Sequence, residues 1–319
     1  MEIVAATFTS PVILFFALGL LAAFARSDLA IPEAVAKGIS LYLMAAIGLK
    51  GGVAVAKSGW TADLAFAAVA GIALSFLLPF LAFALLRGVA KLDRLNAGAV
   101  AAHYGSVSVV TFVTATEILD AGGLRPAGYM VAVLALMETP AIITGLMLAR
   151  RGQPAAVAGA GGLWHEVFLN ASVVLLVGAF LIGLIAGPTG YSEISPLFEG
   201  LFKGVLCLFL LDMGLVAARR LMDSRVLNAR LVALGVVLPL INGAVGTVTG
   251  TLVGLDVASA AALGILAASA SYIAVPAAMR MALPQANPGL YLSMSLGVTF
   301  PFNIVLGIPL FAALARAIG

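Results

Sequence analysis

The sequence has little charge: 10% of its 319 residues are Asp, Glu, Lys or Arg, against about 25% in ordinary soluble domains. Hydrophobic residues make up 63% of the chain, and its mean hydropathy is +1.16. A core of this size cannot bury so many apolar side chains, so lipid must cover much of the surface. The composition therefore excludes cytosolic, secreted and nucleic-acid-binding proteins and predicts an integral membrane protein.

Residues suited to redox, metal or nucleophilic chemistry are also scarce. Cys207 is the only cysteine in the sequence, which excludes an internal disulfide and a multi-cysteine metal site. The chain has two histidines and neither an HExxH nor a GxSxG motif, and the spacing of His103 and Ser108 does not place them on one helix face. A membrane-embedded hydrolase is therefore disfavoured, and neither enzyme activity nor an organic cofactor is expected.

Long apolar runs fill most of the sequence instead. A membrane-crossing helix needs about 20 apolar residues. The first run is interpreted as a helix rather than a signal peptide, because Glu2 and no basic residue precede it. We count ten runs, at 11–25, 34–56, 64–86, 95–116, 127–149, 167–187, 200–218, 231–255, 257–279 and 290–315.

Basic residues are distributed unequally between the two ends of these runs. The positive-inside rule makes the richer side cytoplasmic, which predicts extracytoplasmic termini and orients the chain in a bacterial inner membrane. Lys50 and Lys203, near run ends, can extend to the interface. The richer side has Arg26, Lys37, Arg87, Lys91, Arg94, Arg150, Arg151, Arg219, Arg220, Arg225, Arg230 and Arg280, and the other has Lys50, Lys57, Arg125, Lys203 and Arg316.

The sequence contains an internal repeat. We interpret residues 1–150 as a first five-helix repeat, 151–166 as a short cytoplasmic link, and 167–319 as a second repeat. Five is an odd number, so the second repeat is inverted, an arrangement that indicates a secondary transporter rather than a channel. The matches are Lys37-Gly38-Ile39 with Lys203-Gly204-Val205, Ser106-Val107-Ser108 with Ser269-Ala270-Ser271, and Pro140 with Pro301.

The fourth and ninth runs contain paired hydroxyl groups that suggest an anion site. Residues two apart point to opposite sides of a helix, so such pairs can contact one ligand only where the helix is broken. The half-helix N-termini that follow such breaks favour an anion. The alternative is that these small residues serve helix packing. The candidate anion-binding residues are Gly105, Ser106, Ser108, Thr111, Ser269, Ser271 and Tyr272.

Acidic residues inside apolar runs suggest a site for a coupling ion. Glu138 precedes Pro140, which frees a backbone carbonyl, and the corresponding part of the second repeat offers Thr299 and Asn303. These three residues are the candidate sodium ligands, although Glu138 could instead bind a proton or be a structural acid. We interpret Asp212 as structural, paired with a basic residue.

The chain resembles the sodium-dependent bicarbonate transporter family known from cyanobacteria. The resemblance implies ten transmembrane helices in a five-plus-five inverted repeat with broken fourth and ninth helices, and sodium-coupled bicarbonate uptake by a homotrimer. It also implies a PII-type regulatory protein on the cytoplasmic face. The matching residues are Ile31-Pro32-Glu33-Ala34, Ile47-Gly48-Leu49-Lys50-Gly51-Gly52, Gly105-Ser106-Val107-Ser108, Thr111, Pro140-Ala141, Ala268-Ser269, Ser271, Pro276, Arg280, Pro284, Ala286-Asn287-Pro288 and Ile308-Pro309-Leu310-Phe311.

The sequence departs from the cyanobacterial pattern within the ninth run. An acid and two hydroxyl groups of that pattern are replaced by Tyr272, Ala274 and Ala270, and in the fourth run Val109 and Val110 replace a glycine and a serine. A sodium- or proton-coupled symporter of another small anion, such as a carboxylate, is therefore the alternative interpretation.

Overall fold

The structure is a computed structural model that describes residues 10–59, 61–151, 171–223 and 226–319. Helices account for all its regular secondary structure within those ranges. Most of the predicted 151–166 link and the predicted start of the sixth span lie outside them. The helices are α1 (Pro11–Phe24), α2 (Glu33–Ser58), α3 (Ala62–Gly88), α4 (Arg94–Gly105), α5 (Val109–Ala121), α6 (Met130–Leu136), α7 (Glu138–Arg150), α8 (Ala171–Ser195), α9 (Phe202–Asp223), α10 (Ala229–Leu252), α11 (Val257–Ala268), α12 (Ala274–Ala282), α13 (Pro288–Leu292), α14 (Phe300–Phe302) and α15 (Ile308–Ile318).

The prediction of a multi-pass helical membrane protein is confirmed in its general form. Seven helical segments of the described ranges are long and apolar enough to cross a membrane, and α1 and α11 are shorter apolar helices. The count of ten spans and their inverted arrangement remain predictions. The seven segments are Glu33–Ser58, Ala62–Gly88, Arg94–Ala121, Met130–Arg150, Val174–Gly200, Ala229–Leu252 and Pro288–Ile318.

Several spans are interrupted. The fourth and ninth predicted spans are broken at 106–108 and 269–273, as the paired hydroxyl residues predicted. The sixth was predicted to end at 187, but α8 continues to Ser195 across a kink at Gly187, where φ is 60°. Glycine adopts this left-handed conformation at little cost, and the helix resumes at Pro188, which suits a first helical turn.

Two tight helix pairs join the first half of the chain to the second. Helix α1 packs along α9, and α2 packs along α8. A Cβ atom at Gly19 would collide with the carbonyl oxygen of Leu211, and one at Gly52 would collide with that of Phe180. Glycine thus brings the backbones of each pair together, as is usual for transmembrane helices.

The remaining long helices surround the two breaks. Helices α3, α4 and α7 pack against one another in the first half, and α10, α11 and α15 do so in the second. Helix α11 also contacts α5 across the halves. The broken segments therefore lie between these two sets of three helices, and they also border α2 and α9, since Val109 and Ile273 line a small cavity with Met44 and Phe209.

Basic residues mark the two ends of the α4–α5 span. Near its start, Arg94 donates a hydrogen bond to the carbonyl of Leu148 (3.0 Å). Near its end, Arg316 donates one to the carbonyl of Gly122 (3.0 Å), and Lys203 forms an ion pair with Glu117 (3.5 Å). These residues lie at the ends to which the sequence assigned them, and the orientation of the chain in the membrane remains a prediction.

Candidate functional site

The two helix breaks lie side by side in the interior. The backbone N–H of Ser108 donates a hydrogen bond to the Ser269 hydroxyl (2.9 Å), and the N–H of Ser271 donates one to the carbonyl of His103 (3.0 Å). Because the earlier residue of one break pairs with the later residue of the other, the segments run antiparallel. We call residues 103–108 and 269–273 together the crossing.

The serine hydroxyls of the crossing divide into two kinds. Ser106 donates to the carbonyl of Glu138 (3.3 Å), and Ser269 donates to that of Leu266 (2.7 Å). Ser108 instead accepts from the N–H of Thr111 (3.1 Å). Ser271 likewise accepts, from the N–H of Val275 (3.4 Å). A hydroxyl that accepts still has its proton to donate, so Ser108 and Ser271 are the serines suited to bind an anion.

Each break is followed by a helix N-terminus. Helix α5 begins at Val109 and α12 at Ala274, directly after the crossing. The first N–H groups of a helix have no partner within it and carry the positive end of the helix dipole. Thr111, whose side chain is buried, lies in the first turn of α5. The crossing can therefore attract an anion through backbone dipoles.

Close packing maintains the break in the first half. Gly105 ends α4 against the ring of Pro79, where an added Cβ would collide with ring carbons.

Tyr272 lies in the second break, and its ring contacts the ring of Phe300 edge-on, with 5.5 Å between the centroids. Its buried hydroxyl has no hydrogen-bond partner among the described residues. Tyr272 therefore retains a donor for a ligand.

Two asparagines stabilise the ends of the helices that precede the breaks. Asn242 donates from Nδ2 to the carbonyl of Tyr104 (3.0 Å), and Asn303 donates to that of Ala268 (2.8 Å). Both amide oxygens are buried without a partner in the described part of the chain. Sequence reasoning missed Asn242, although a lone amide in the apolar α10 was a signal that could have identified it.

Glu138 lies at a third break, between α6 and α7. Its side chain is 4% exposed, and its carboxylate forms no hydrogen bond or ion pair with the described residues. Ser75, which sequence reasoning missed, donates to the carbonyl of Met137 (2.5 Å) and accepts from the N–H of Ala141 (3.2 Å). The Ser75 hydroxyl thus takes the place of one helical hydrogen bond next to Pro140.

The candidate sodium ligands lie on different elements. The Thr299 hydroxyl donates to the carbonyl of Gly235 (2.6 Å) and lies 2.6 Å from the hydroxyl of Tyr104. Asn303 is bonded to α11, and no hydrogen bond joins either residue to the Glu138 carboxylate. Carboxylate, hydroxyl and amide oxygens are ligands that suit a hard cation. Sodium binding by Glu138, Thr299 and Asn303 remains a prediction.

Two other buried polar residues of the spans are His103 and Asp212. His103 is fully buried, with Nδ1 2.7 Å from the carbonyl oxygen of Ala99 and its ring stacked on Tyr291 at 4.4 Å. These contacts indicate a packing role for His103. Asp212 is buried in α9, and the predicted ion pair with a basic residue is not found within the described ranges.

A cavity of about 750 Å³ opens at the end of the α4–α5 span where Arg125 lies. Its walls come from α2, α5 and α6, from the chain around Pro188–Glu199, and from the start of α9. Phe112 lies at the cavity and belongs to the turn that begins at Ser108, whose carbonyl accepts from the Phe112 N–H (3.0 Å). The cavity therefore approaches the crossing to within about one helical turn, or about 5 Å.

This fold belongs to the class of multi-pass helical membrane proteins, and paired broken helices are typical of secondary transporters. Within that class, a model of the Na+-dependent bicarbonate transporter superfamily matches residues 11–316. The chain belongs to this family, which confirms the resemblance based on the motifs. A search of curated proteins finds no significant match.

Proposed function

We propose that the protein is a secondary active transporter that couples the uptake of bicarbonate to sodium by alternating access. The observation that carries this proposal is the family match over residues 11–316. The antiparallel contact between Ser108 and Ser269 supports it, because secondary transporters often bind cargo where broken helices of inverted repeats meet. Transport, rather than catalysis, is the activity of this family.

In this proposal the anion binds at the crossing. Ser108, Ser271 and Tyr272 donate hydrogen bonds to it, while Gly105 and Thr111 shape the start of α5. Ser106 and Ser269 hold the two segments in register through the carbonyls of Glu138 and Leu266. Dipoles and hydroxyl groups bind an anion less tightly than a buried ion pair does, which suits a transporter that must release its cargo.

Sodium binds beside the anion in this proposal, with Glu138, Thr299 and Asn303 as ligands. Two opposite charges that enter together attract each other in a medium of low dielectric constant. The Glu138 carboxylate has no protein partner in the described ranges and can hold a sodium ion or a proton. That observation also supports the alternative, a sodium- or proton-coupled symporter of another small anion.

Alternating access in this proposal uses two groups of helices. The α1–α9 and α2–α8 pairs form one group and the helices around the crossing form the other, and the two groups meet in a shared apolar core. We propose that movement between these groups exposes the crossing first to one side of the membrane and then to the other. The five-plus-five inverted repeat, residues 1–150 and 167–319, is the framework of this movement.

The setting of the protein is also part of the proposal. Extracytoplasmic termini in a bacterial inner membrane follow from the distribution of basic residues. A homotrimer and a PII-type regulatory protein on the cytoplasmic face follow from the family resemblance. The exposed apolar side chains of the long helices are solvated by lipid.

Uptake of labelled bicarbonate into proteoliposomes tests the function. We expect flux that depends on an inward sodium gradient and that small carboxylates inhibit weakly. Flux of a carboxylate in preference to bicarbonate would favour the alternative substrate. A proton gradient that drives uptake without sodium would identify the proton as the coupling ion, and a lack of gradient-driven flux of any anion would contradict the proposal.

A further inference from the structure

Lys50 has a position that membrane location alone does not explain. The sequence predicts that it extends to the interface, and α2 continues eight residues beyond it to Ser58, or about 12 Å. The side chain lines the 750 Å³ cavity. A charged group placed this far along a transmembrane helix usually has a function.

Lys50 forms no ion pair with a carboxylate of the described residues. Its Nζ lies 4.2 Å from the centroid of the Phe202 ring, a cation–π contact. The ion pairs found within the described ranges join Arg125 to Asp120 (2.7 Å) and Lys203 to Glu117 (3.5 Å). The aromatic ring stabilises the ammonium group without cancelling its charge, so Lys50 remains able to attract an anion.

The neighbours of Lys50 fix its direction. A Cβ atom at Gly51 would contact the side chain of Val131, and one at Gly52 would collide with the carbonyl of Phe180. These contacts prevent α2 from rotating, so Lys50 stays on the face that borders the cavity. Lys57 lies two turns further on the same face of α2, where it is exposed and also borders the cavity.

We propose that Lys50 is a capture residue, which binds a small monovalent anion in the cavity before the anion moves to the crossing. The inference rests on the proposed function and adds a second anion site to it. A cavity with walls of low dielectric constant focuses the field of the charges that line it and raises the local concentration of the opposite ion. Glu117, Asp120 and Glu199 also line this cavity, but Glu117 is paired with Lys203 and Asp120 with Arg125. Phe112, beside Ser108, connects this cavity with the start of α5.

Transport kinetics of three variants test the role of Lys50. We expect Lys50→Gln to raise the KM for external bicarbonate about tenfold, because capture increases the rate of binding, while kcat stays near that of the wild type. Lys50→Arg should restore a KM near that of the wild type, since the charge returns. Lys57→Gln is the matched control, and its KM should stay within about twofold of wild type because its charge is already solvated.

Two results of these measurements would overturn the inference. One is a Lys50→Gln variant with unchanged KM, and the other is a loss of kcat alone in both Lys50→Gln and Lys50→Arg. The inference would be supported if the difference in KM between the wild type and Lys50→Gln becomes smaller at high ionic strength, because salt screens the charge of Lys50. A packing role would not give this dependence on salt.

Chemical modification distinguishes the charge from the shape of the side chain. Lys50→Cys in a Cys207→Ser background presents one thiol to aminoethyl or sulfonatoethyl methanethiosulfonate. The aminoethyl reagent adds a positive charge and the sulfonatoethyl reagent a negative one. Uptake restored only by the aminoethyl reagent would support capture, whereas equal effects of the two reagents would contradict it. Bicarbonate should also slow the labelling, and this protection does not depend on transport. Protected labelling in a protein without gradient-driven flux would therefore contradict the proposed function and not the site.

Discussion

The backbone N–H of Ser108 donates a hydrogen bond to the hydroxyl of Ser269, 2.9 Å away. Each residue lies in a helix break, and the two breaks come from different halves of the chain. The Ser269 hydroxyl also donates to the carbonyl of Leu266, so its proton is already used in a hydrogen bond within the protein. The Ser108 and Ser271 hydroxyls act as acceptors and keep their protons for a ligand. The four serines should therefore not respond alike to substitution.

Alanine substitutions separate these roles. Ser271→Ala should weaken anion binding by about 1 kcal/mol, or roughly fivefold, since it removes one neutral hydrogen bond. Ser269→Ala should instead lower the free energy of unfolding by about 1–3 kcal/mol, because it leaves the buried N–H of Ser108 without a partner. Equilibrium binding and thermal unfolding in detergent measure the two effects. If both variants are less stable but the folded protein binds the anion with unchanged affinity, the packing interpretation is favoured.

Glu138→Gln tests the coupling site. The substitution keeps the shape of the side chain and removes the charge that would bind sodium. We expect a folded protein that needs about tenfold more sodium, with anion affinity reduced only where sodium is limiting, because the two sites are linked. Sodium-dependent uptake at several bicarbonate concentrations measures this effect.

The control for this variant is Glu193→Gln, which removes an exposed carboxylate from α8. It should leave the sodium dependence unchanged. If Glu138→Gln shows the sodium dependence of the wild type, Glu138 is structural. If the variant instead becomes insensitive to pH, the residue carries a proton.

Asn242 and Asn303 provide a second comparison. Asn242→Leu and Asn303→Leu should each lower the free energy of unfolding by about 1–3 kcal/mol, since each leaves a buried carbonyl unpaired. Only Asn303→Leu should also raise the sodium concentration needed for half-maximal uptake. Thermal unfolding and sodium titration measure the two properties, and a sodium shift of equal size in both variants would argue against a special role of Asn303.

The α2–α8 contact can be tested with two glycines of the same helix. Gly52→Ala should destabilise the protein by about 1–3 kcal/mol, because its Cβ would overlap the carbonyl of Phe180. Gly38→Ala is the control, since nothing lies within 4 Å of its added Cβ. Thermal unfolding in detergent measures both, and equal melting temperatures would show that α2 and α8 can separate without loss of stability.

Reporter fusions test the orientation of the chain. A fusion after Arg316 should be active outside the cytoplasm, and a fusion within residues 151–166 should be active in the cytoplasm, because basic residues are retained there. Alkaline phosphatase and a fluorescent protein report the two sides. The opposite pattern would mean that the orientation is reversed, and two fusions on the same side would mean that the number of spans between them is wrong by one.

The sequence predicted features that depend on local chemistry. Ser106 and Ser108 are two apart, as are Ser269 and Ser271, and such hydroxyl pairs indicated the two breaks because a continuous helix separates them. The hydrogen bond from Asn242 to Tyr104 could not be predicted, because it joins residues distant in the chain and nothing near Asn242 marks its partner.

Tertiary contacts limited other predictions in the same way. The sequence shows that Gly52 offers a small surface, but not that Phe180 fills it. The sequence placed Lys50 near a run end, but the cavity that Lys50 borders could not be predicted, because its walls come from several helices. Ser75 gave no signal, since its role depends on Pro140 in another helix.

The cross-half helix pairs also affect the order of assembly. Helices α1 and α2 are synthesised early, but the surfaces of Gly19 and Gly52 are filled by α9 and α8, which emerge much later. Until then the ribosome-bound chain must keep these glycine-lined faces in lipid or against a membrane insertase. If the chain is divided within residues 151–166 and expressed as two fragments, each fragment should therefore fold only when the other is produced in the same cell.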